Sequence, residues 1–353
     1  MARPVDPMRR ALPVSEWPQV DRDAWMAAQA VGDIFDEGGG AAHWASRTRL
    51  TNEQHYGRWL GYLLWAGQLD RSASPADRVS REAVRAYNRH LETLVAPRTR
   101  LSTLVGLKVM MQAMAQDRNW RWLQDACNRV QINAKPSRDK RARMRPTAEI
   151  FAAALAELER MPAADLSLKQ ALAYRDALML AFLASRPLRV KNFTGLELER
   201  HLIPTEDNWL LTIPAADTKT RQPVSFDLPE PLLPWFARYL SAVRPLFPQA
   251  SESARVWLGK EGVMRDPHSI YHRITKLTRR LFGVAINPHL LRDCAASSLA
   301  AVSADMARAA APLLGHRHFT TTERYYIQAD NLAASRRLGS ILDKLKAAAE
   351  DLA

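Results

Sequence analysis

A chain of 353 residues, 47% hydrophobic and 25% charged, can bury a substantial core and at this length is expected to form two domains. Fifty Lys and Arg against 37 Asp and Glu leave a formal net charge of +13 and a pI near 10.1, which points to a polyanionic partner, nucleic acid first. Cys127 and Cys294 alone exclude a disulfide framework and a cysteine zinc site, and the absence of an amphipathic anchor or lipidation signal argues against a membrane surface.

Residues 1–45 read as an N-terminal arm or an extra first helix. The start, MARPVDPMRR, has two prolines and mixed charge instead of the apolar core of a signal peptide, a short helical run covers 21–35, and Gly38-Gly39-Gly40 breaks it. The longest apolar runs, such as 177–184, are too short to cross a bilayer. The expected location is a reducing cytoplasm.

Residues 46–134 read as a small all-helical domain. Tyr56, Leu60, Leu63 and Leu64 stand at i, i+4, i+7 and i+8 on one stripe. Ser80 suits the N-cap of a helix running to Leu94, Pro97 opens another that reaches about Gln116, and a fourth carries Trp120, Trp122 and Leu123. The basic stretch 135–146 follows, with Lys135, Arg138, Lys140, Arg141, Arg143 and Arg145 against Asp139. It reads as an interdomain linker, either simply solvated or, in a chain this basic, lying along phosphates.

From Pro146 the helical pattern resumes, with Thr147 as the expected cap of a helix to Arg160 and a long buried helix from Ser167 to about Ser185. The runs 198–203, 209–213 and 224–228 suggest a small antiparallel sheet, with Asp217-Thr218-Lys219-Thr220-Arg221 as a polar hairpin loop. Everything after Pro231 reads as helix and loop. The fold class is therefore mainly α, with a small antiparallel β-sheet in the C-terminal domain. No internal repeat, Gly-rich phosphate loop or acidic pair at metal-binding spacing is visible, so a polyanion must be met by side-chain cations.

Asn287-Pro288 starts a helix with His289 and Arg292 on one face of its first turn, where amide N–H groups also favour an anion. Arg189 sits between apolar anchors just beyond the long buried helix. Lys219 marks the hairpin tip. Further on, Gly315 stops a helix before His316, and Tyr325 and Tyr326 follow nine and ten residues later. Each has a plainer reading alone: a helix-end arginine, a solubility lysine, an incidental surface histidine, a packing tyrosine.

Taken in order, Arg189, Lys219, His289, Arg292, His316 and Tyr325 change that. Pro187-Leu188-Arg189-Val190, Thr218-Lys219-Thr220, His289-Leu290-Leu291-Arg292 and Leu314-Gly315-His316 with Tyr325 resemble the four boxes of the tyrosine recombinases, the phage integrase family. The resemblance covers roughly residues 147–330. It implies a DNA clamp made of a helical core-binding domain and a catalytic domain, and a homotetramer assembled on double-stranded DNA, with possible accessory recombination proteins. It also implies strand breakage and rejoining through a 3′-phosphotyrosyl intermediate and a Holliday junction, without ATP, metal or other cofactor. Tyr325 would be the nucleophile, the two arginines and two histidines the phosphate ligands, and Lys219 the proton donor to the leaving 5′-oxygen. The apolar stripe of residues 331–353 would form a C-terminal helix able to dock on a neighbouring protomer.

Two positions depart from the family pattern. Asn192 stands where an acid is usual and Asp293 where histidine is frequent. The alternatives are a non-catalytic DNA-binding protein of the same fold, or a type IB topoisomerase or telomere resolvase with the same chemistry.

Overall fold

The computed structural model describes residues 6–33, 35, 38–134 and 139–302. The chain divides into two compact units, Met1–Asp139 and Lys140–Ala353, and the division falls within the basic stretch.

The described part of the first unit is helical, with α1 at Gln19–Gln29, α2 at Ser46–Trp65, α3 at Pro75–Arg78, α4 at Arg81–Leu94, α5 at Pro97–Met114 and α6 at Arg121–Asn133. Ser80 caps α4 by accepting the Ala83 N–H at 3.1 Å. The α2 stripe is buried through Tyr56, Leu60 and Leu63, but Leu64 is 41% exposed at the end of the helix.

Described residues ahead of position 46 are built into this unit, with α1 as an extra first helix. Trp17 and Trp25 are buried in its core, and Leu12 pairs with α2 through the Gly57 carbonyl at 2.9 Å. That approach needs glycine, because a Cβ at Gly57 would lie 2.1 Å from Leu12 O and one at Gly61 2.0 Å from Arg10 O. The fully buried Asp21 of α1 is matched by Arg78 of α3, whose Nη1 donates to both carboxylate oxygens at 2.6 and 2.7 Å, and by the Tyr56 hydroxyl. Removing one member would strand a buried charge, so the pair fixes where α1 docks.

In the second unit, α7 spans Thr147–Glu159 and α8 Leu168–Ser185. Thr147 lies inside α7, not at its cap. Pro146 takes the cap position, and the Thr147 N–H donates to Ser298 Oγ at 3.0 Å. Ser167 and Gln170 form a reciprocal capping box at the start of α8. Apolar on nearly every side, α8 is the central element of the core.

The short helix α9, Val190–Thr194, leads into strands β1 (Leu202–Pro204), β2 (Trp209–Ile213) and β3 (Val224–Asp227). They form one antiparallel sheet in the order β1-β2-β3, with Leu202 opposite Leu211 and Leu211 opposite Phe226. Beyond it lie α10 (Leu233–Arg238), β4 (Leu258–Gly259), β5 (Gly262–Val263), α11 (Pro267–Phe282) and α12 (Pro288–Val302). The β4–β5 hairpin corrects the expectation of helix and loop alone after Pro231. Two residues per strand cannot display alternation, and Gly262 turns it at φ 94°.

Candidate active site

Arg189 is positioned by what surrounds it in the chain. Where α8 ends, Arg186 turns away to donate to the Asp227 carbonyl of β3 at 2.7 and 3.0 Å and stacks over Phe226, so it serves the fold. Pro187 and Leu188 are buried, and Arg189 stands at the N-cap of α9. One turn on, the Phe193 ring packs 5.4 Å from Phe182 of α8 and 4.8 Å from Trp257, locking α9 to the core. Burial pushes the Arg189 pKa down.

The start of α12 is fixed with equal care. Gly283, left-handed at φ 70°, ends α11 by donating its N–H to Arg279 O at 3.0 Å. The buried Thr278 hydroxyl then accepts the Ile286 N–H at 2.9 Å and lies 2.9 Å from the Ile286 carbonyl, holding the connecting turn. Asn287 Oδ1 accepts the Leu290 N–H at 2.9 Å, with Pro288 in the first helical position. His289 is exposed on that first turn, and Arg292 is partly buried behind it.

Arg292 Nη1 donates to the Pro187 carbonyl, joining α12 to the segment that carries Arg189. Burial first, and then the positive charge of Arg189, push the Arg292 pKa down to about 10, with Asp293 pulling the other way. Two guanidinium groups are thus held near one another in partial burial, an arrangement that favours an oxyanion between them. The basic stretch passes close by. Lys140 pairs with Asp293 at 2.6 Å, Arg143 donates to Ala285 O at 3.3 Å and Arg145 to Met144 O at 2.8 Å. Arg141 lies in a single helical turn between them.

Lys219 stands exposed on the loop joining β2 to β3. Between that loop and α9 opens a cleft of about 290 Å³ whose lining includes Lys191, Asn192, His201 and Asp217. Sequence reasoning missed the polar cluster on its wall: Glu197, Arg200, His201 and Asp217. The only local signals were the i, i+4 spacing of Glu197 and His201 and an acid two places before Lys219. His316, Tyr325, Tyr326, Lys135, Arg138 and the C-terminal helix fall outside the described residues. Among the described residues no three His, Cys, Asp or Glu side chains gather as a metal site, and no helix is long and apolar enough to cross a membrane.

Comparison with known proteins bears on the family and the fold. The chain is 31% identical over 156 residues to "Tyrosine recombinase XerC" of Pseudomonas aeruginosa, a match covering 44% of this chain and 48% of that protein. It is 30% identical over 182 residues to the protein of the same name from Pseudomonas syringae pv. tomato, covering 51% and 57%. The chain thus spans about half the length of the curated relatives it matches. Its fold is similar to a crystal structure of XerH site-specific recombinase bound to difH substrate, a pre-cleavage complex. The TM-score is 0.55 at 13% identity, over 95% of this chain and 97% of that one. The model of the phage integrase family matches residues 154–332, just over half of the sequence and the span that holds all six candidate residues. With the fold, the joined arginine segments and that match in agreement, the chain belongs to the phage integrase family, the tyrosine recombinases.

Proposed function

We propose that this chain is a site-specific DNA recombinase that breaks and rejoins strands through a 3′-phosphotyrosyl intermediate. The observation that carries the reading is the junction of Arg292 with the Pro187 carbonyl, which sets two buried-side cations together where a scissile phosphate would stand. Relatives named as tyrosine recombinases, and a site-specific recombinase of like fold solved with its difH substrate, support the same reading.

In this mechanism the Tyr325 hydroxyl attacks phosphorus, forming a P–O bond to tyrosine and breaking the P–O5′ bond. The tyrosine proton passes to His289, exposed on the first turn of α12. Arg189 and Arg292 offer planar forks to the non-bridging oxygens, where charge builds in the transition state, and His316 donates a further hydrogen bond. The Lys219 ammonium gives its proton to the departing 5′-oxygen. Exchange of one phosphodiester for another conserves bond energy, so no ATP is consumed. The strand exchange that follows would pass through a Holliday junction, in a tetramer assembled on double-stranded DNA.

The test is covalent trapping on nicked duplexes drawn from the DNA that flanks the gene. The natural chain is expected to form a denaturation-resistant adduct, and Tyr325→Phe none. An adduct retained by Tyr325→Phe would overturn the assignment. No adduct with the natural chain, together with intact binding to the same duplex, would favour a non-catalytic DNA-binding protein.

A further inference from the structure

Lys219 has a flexible four-carbon stem on an exposed loop, yet a proton donor must reach one oxygen at one moment. The root of that loop is held unusually well. Asp217 Oδ2 accepts from Arg200 Nη2 at 2.8 Å and faces His201 Nε2 at 3.5 Å. His201 is only 5% exposed, and its Nδ1 accepts the Glu197 N–H at 3.1 Å. The neutral ring therefore carries its hydrogen on Nε2, the atom turned to Asp217. Arg200 Nη1 donates to Glu197 Oε2 at 3.1 Å, so one guanidinium spans both carboxylates, and Arg255 Nε lies 3.5 Å from Glu197 Oε1.

The next residue adds a second pin. Thr218 is buried, and its hydroxyl accepts the Gln222 N–H at 3.1 Å while lying 2.8 Å from Gln222 O and 3.1 Å from Ala215 O. The two sides of the loop are thereby closed on each other directly beneath Lys219. None of Glu197, Arg200, His201 or Asp217 has a part in the proposed phosphate chemistry, and together they tie the loop to the turn entering β1.

We infer that Asp217, gripped by Arg200 and His201, is the positioning residue for Lys219, fixing the loop root so that the lysine ammonium meets the departing 5′-oxygen. This rests on the reading of Lys219 as proton donor. In the step concerned the P–O5′ bond breaks, its electron pair goes to O5′, and the Lys219 ammonium supplies the proton, leaving a neutral amine. Replacing that oxygen with sulfur removes the need, because a thiolate departs without a proton.

Single-turnover cleavage by the full chain is to be measured on a nicked duplex carrying the attachment point mapped in the flanking DNA, with oxygen or sulfur at the scissile 5′ position. Lys219→Ala is expected to lose about 100-fold or more on the oxygen substrate, the scale of a general acid, and to recover on sulfur. Asp217→Ala is expected to lose about 10-fold on oxygen, as a misplaced donor does, and less than about twofold on sulfur. Arg200→Ala, at an exposed side chain that cannot threaten the core, should repeat the Asp217→Ala pattern. Asp217→Asn, which keeps an accepting oxygen, should fall between Asp217→Ala and the natural chain.

Equal losses on both substrates in Asp217→Ala and Arg200→Ala would make the cluster merely structural and overturn the proposal, as would no loss in either. If Lys219→Ala itself fails to recover on sulfur, the reading of Lys219 falls and takes this inference with it. Recovery of Lys219→Ala without recovery of Asp217→Ala refutes the positioning role alone.

Discussion

Arg292 is a partly buried cation whose burial costs stability in the empty fold, a cost that the proposed phosphate would offset. Its pKa is pushed down to about 10, well below the ordinary guanidinium range, so above pH 10 the unfolded chain binds this proton more tightly than the folded one. The linkage sign follows. Stability rises from this group as pH climbs above about 10 toward the ordinary guanidinium pKa, and at neutral pH, with both states protonated, the unfavourable burial is present in full. An oxyanion between Arg189 and Arg292 would remove that penalty without any change of pH. Millimolar inorganic phosphate, against equal ionic strength of chloride, should therefore raise the melting temperature of the natural chain and leave that of Arg292→Gln almost unmoved. Arg292→Gln gives up that burial cost and the bond to the Pro187 carbonyl together, so when phosphate is absent its melting temperature should change little. Its cleavage rate should still fall by about 100-fold to 1,000-fold, the usual loss for one transition-state donor. Equal phosphate shifts in both proteins would show that the anion binds elsewhere.

At the scale of elements, the turn between α11 and α12 sets the direction in which His289 and Arg292 point, and one hydroxyl holds it. Thr278→Val keeps the shape of the side chain but leaves the Ile286 N–H and C=O without their buried partner. The expected loss is about 1–3 kcal/mol, read from the midpoint of denaturant unfolding. A change below about 0.5 kcal/mol would mean that the turn is held by packing alone. Helices with a local stop and start were legible in the chain: Ser80, Ser167 and Asn287 cap where their side chains suggest, and β2 lies where the short run 209–213 between turn residues put it. What escaped were the pieces too short to carry a period. The five residues of α9 are held by Phe193 against Phe182 and Trp257, the four of α3 by Arg78 against Asp21, and the β4–β5 hairpin by its partner strand. Thr147 misled because the proline ahead of it takes the cap and Ser298, 151 residues away, takes its N–H. The candidate site, with its proposed positioning residues, divides the same way. Arg189, His289 and Arg292 were legible because each sits in a local box. Asp217 and His201 were not, because they meet only after the segment entering β1 and the β2–β3 loop have folded onto one another.

For the whole molecule, each unit has its own core, one centred on Trp17, Trp25, Tyr56 and Trp59 and the other on α8. With DNA as the proposed partner, a chain of net charge +13 is expected to bind with affinity that falls steeply as salt rises, and the basic stretch is where that dependence is most open to test. Its members are not equivalent. Lys140 has its ammonium on Asp293, beside Arg292, so its loss would disturb the surroundings of the proposed phosphate site and slow cleavage as well as binding. Replacing Arg141, Arg143 and Arg145 together by Gln removes three cations and leaves that pair intact. Each phosphate no longer neutralised should lower the slope of log affinity against log salt by about 0.9, so the triple variant should show a slope up to about 2.7 shallower. Binding should weaken by a similar factor on related and unrelated duplexes, because cations on the DNA backbone read no sequence. Cleavage at saturating protein should change far less than affinity does. Salt titrations by fluorescence anisotropy measure all of this directly. An unchanged slope would mean that these arginines serve the protein alone, through carbonyls such as Ala285 O and Met144 O, and that the phosphates are met by the helices of the two units.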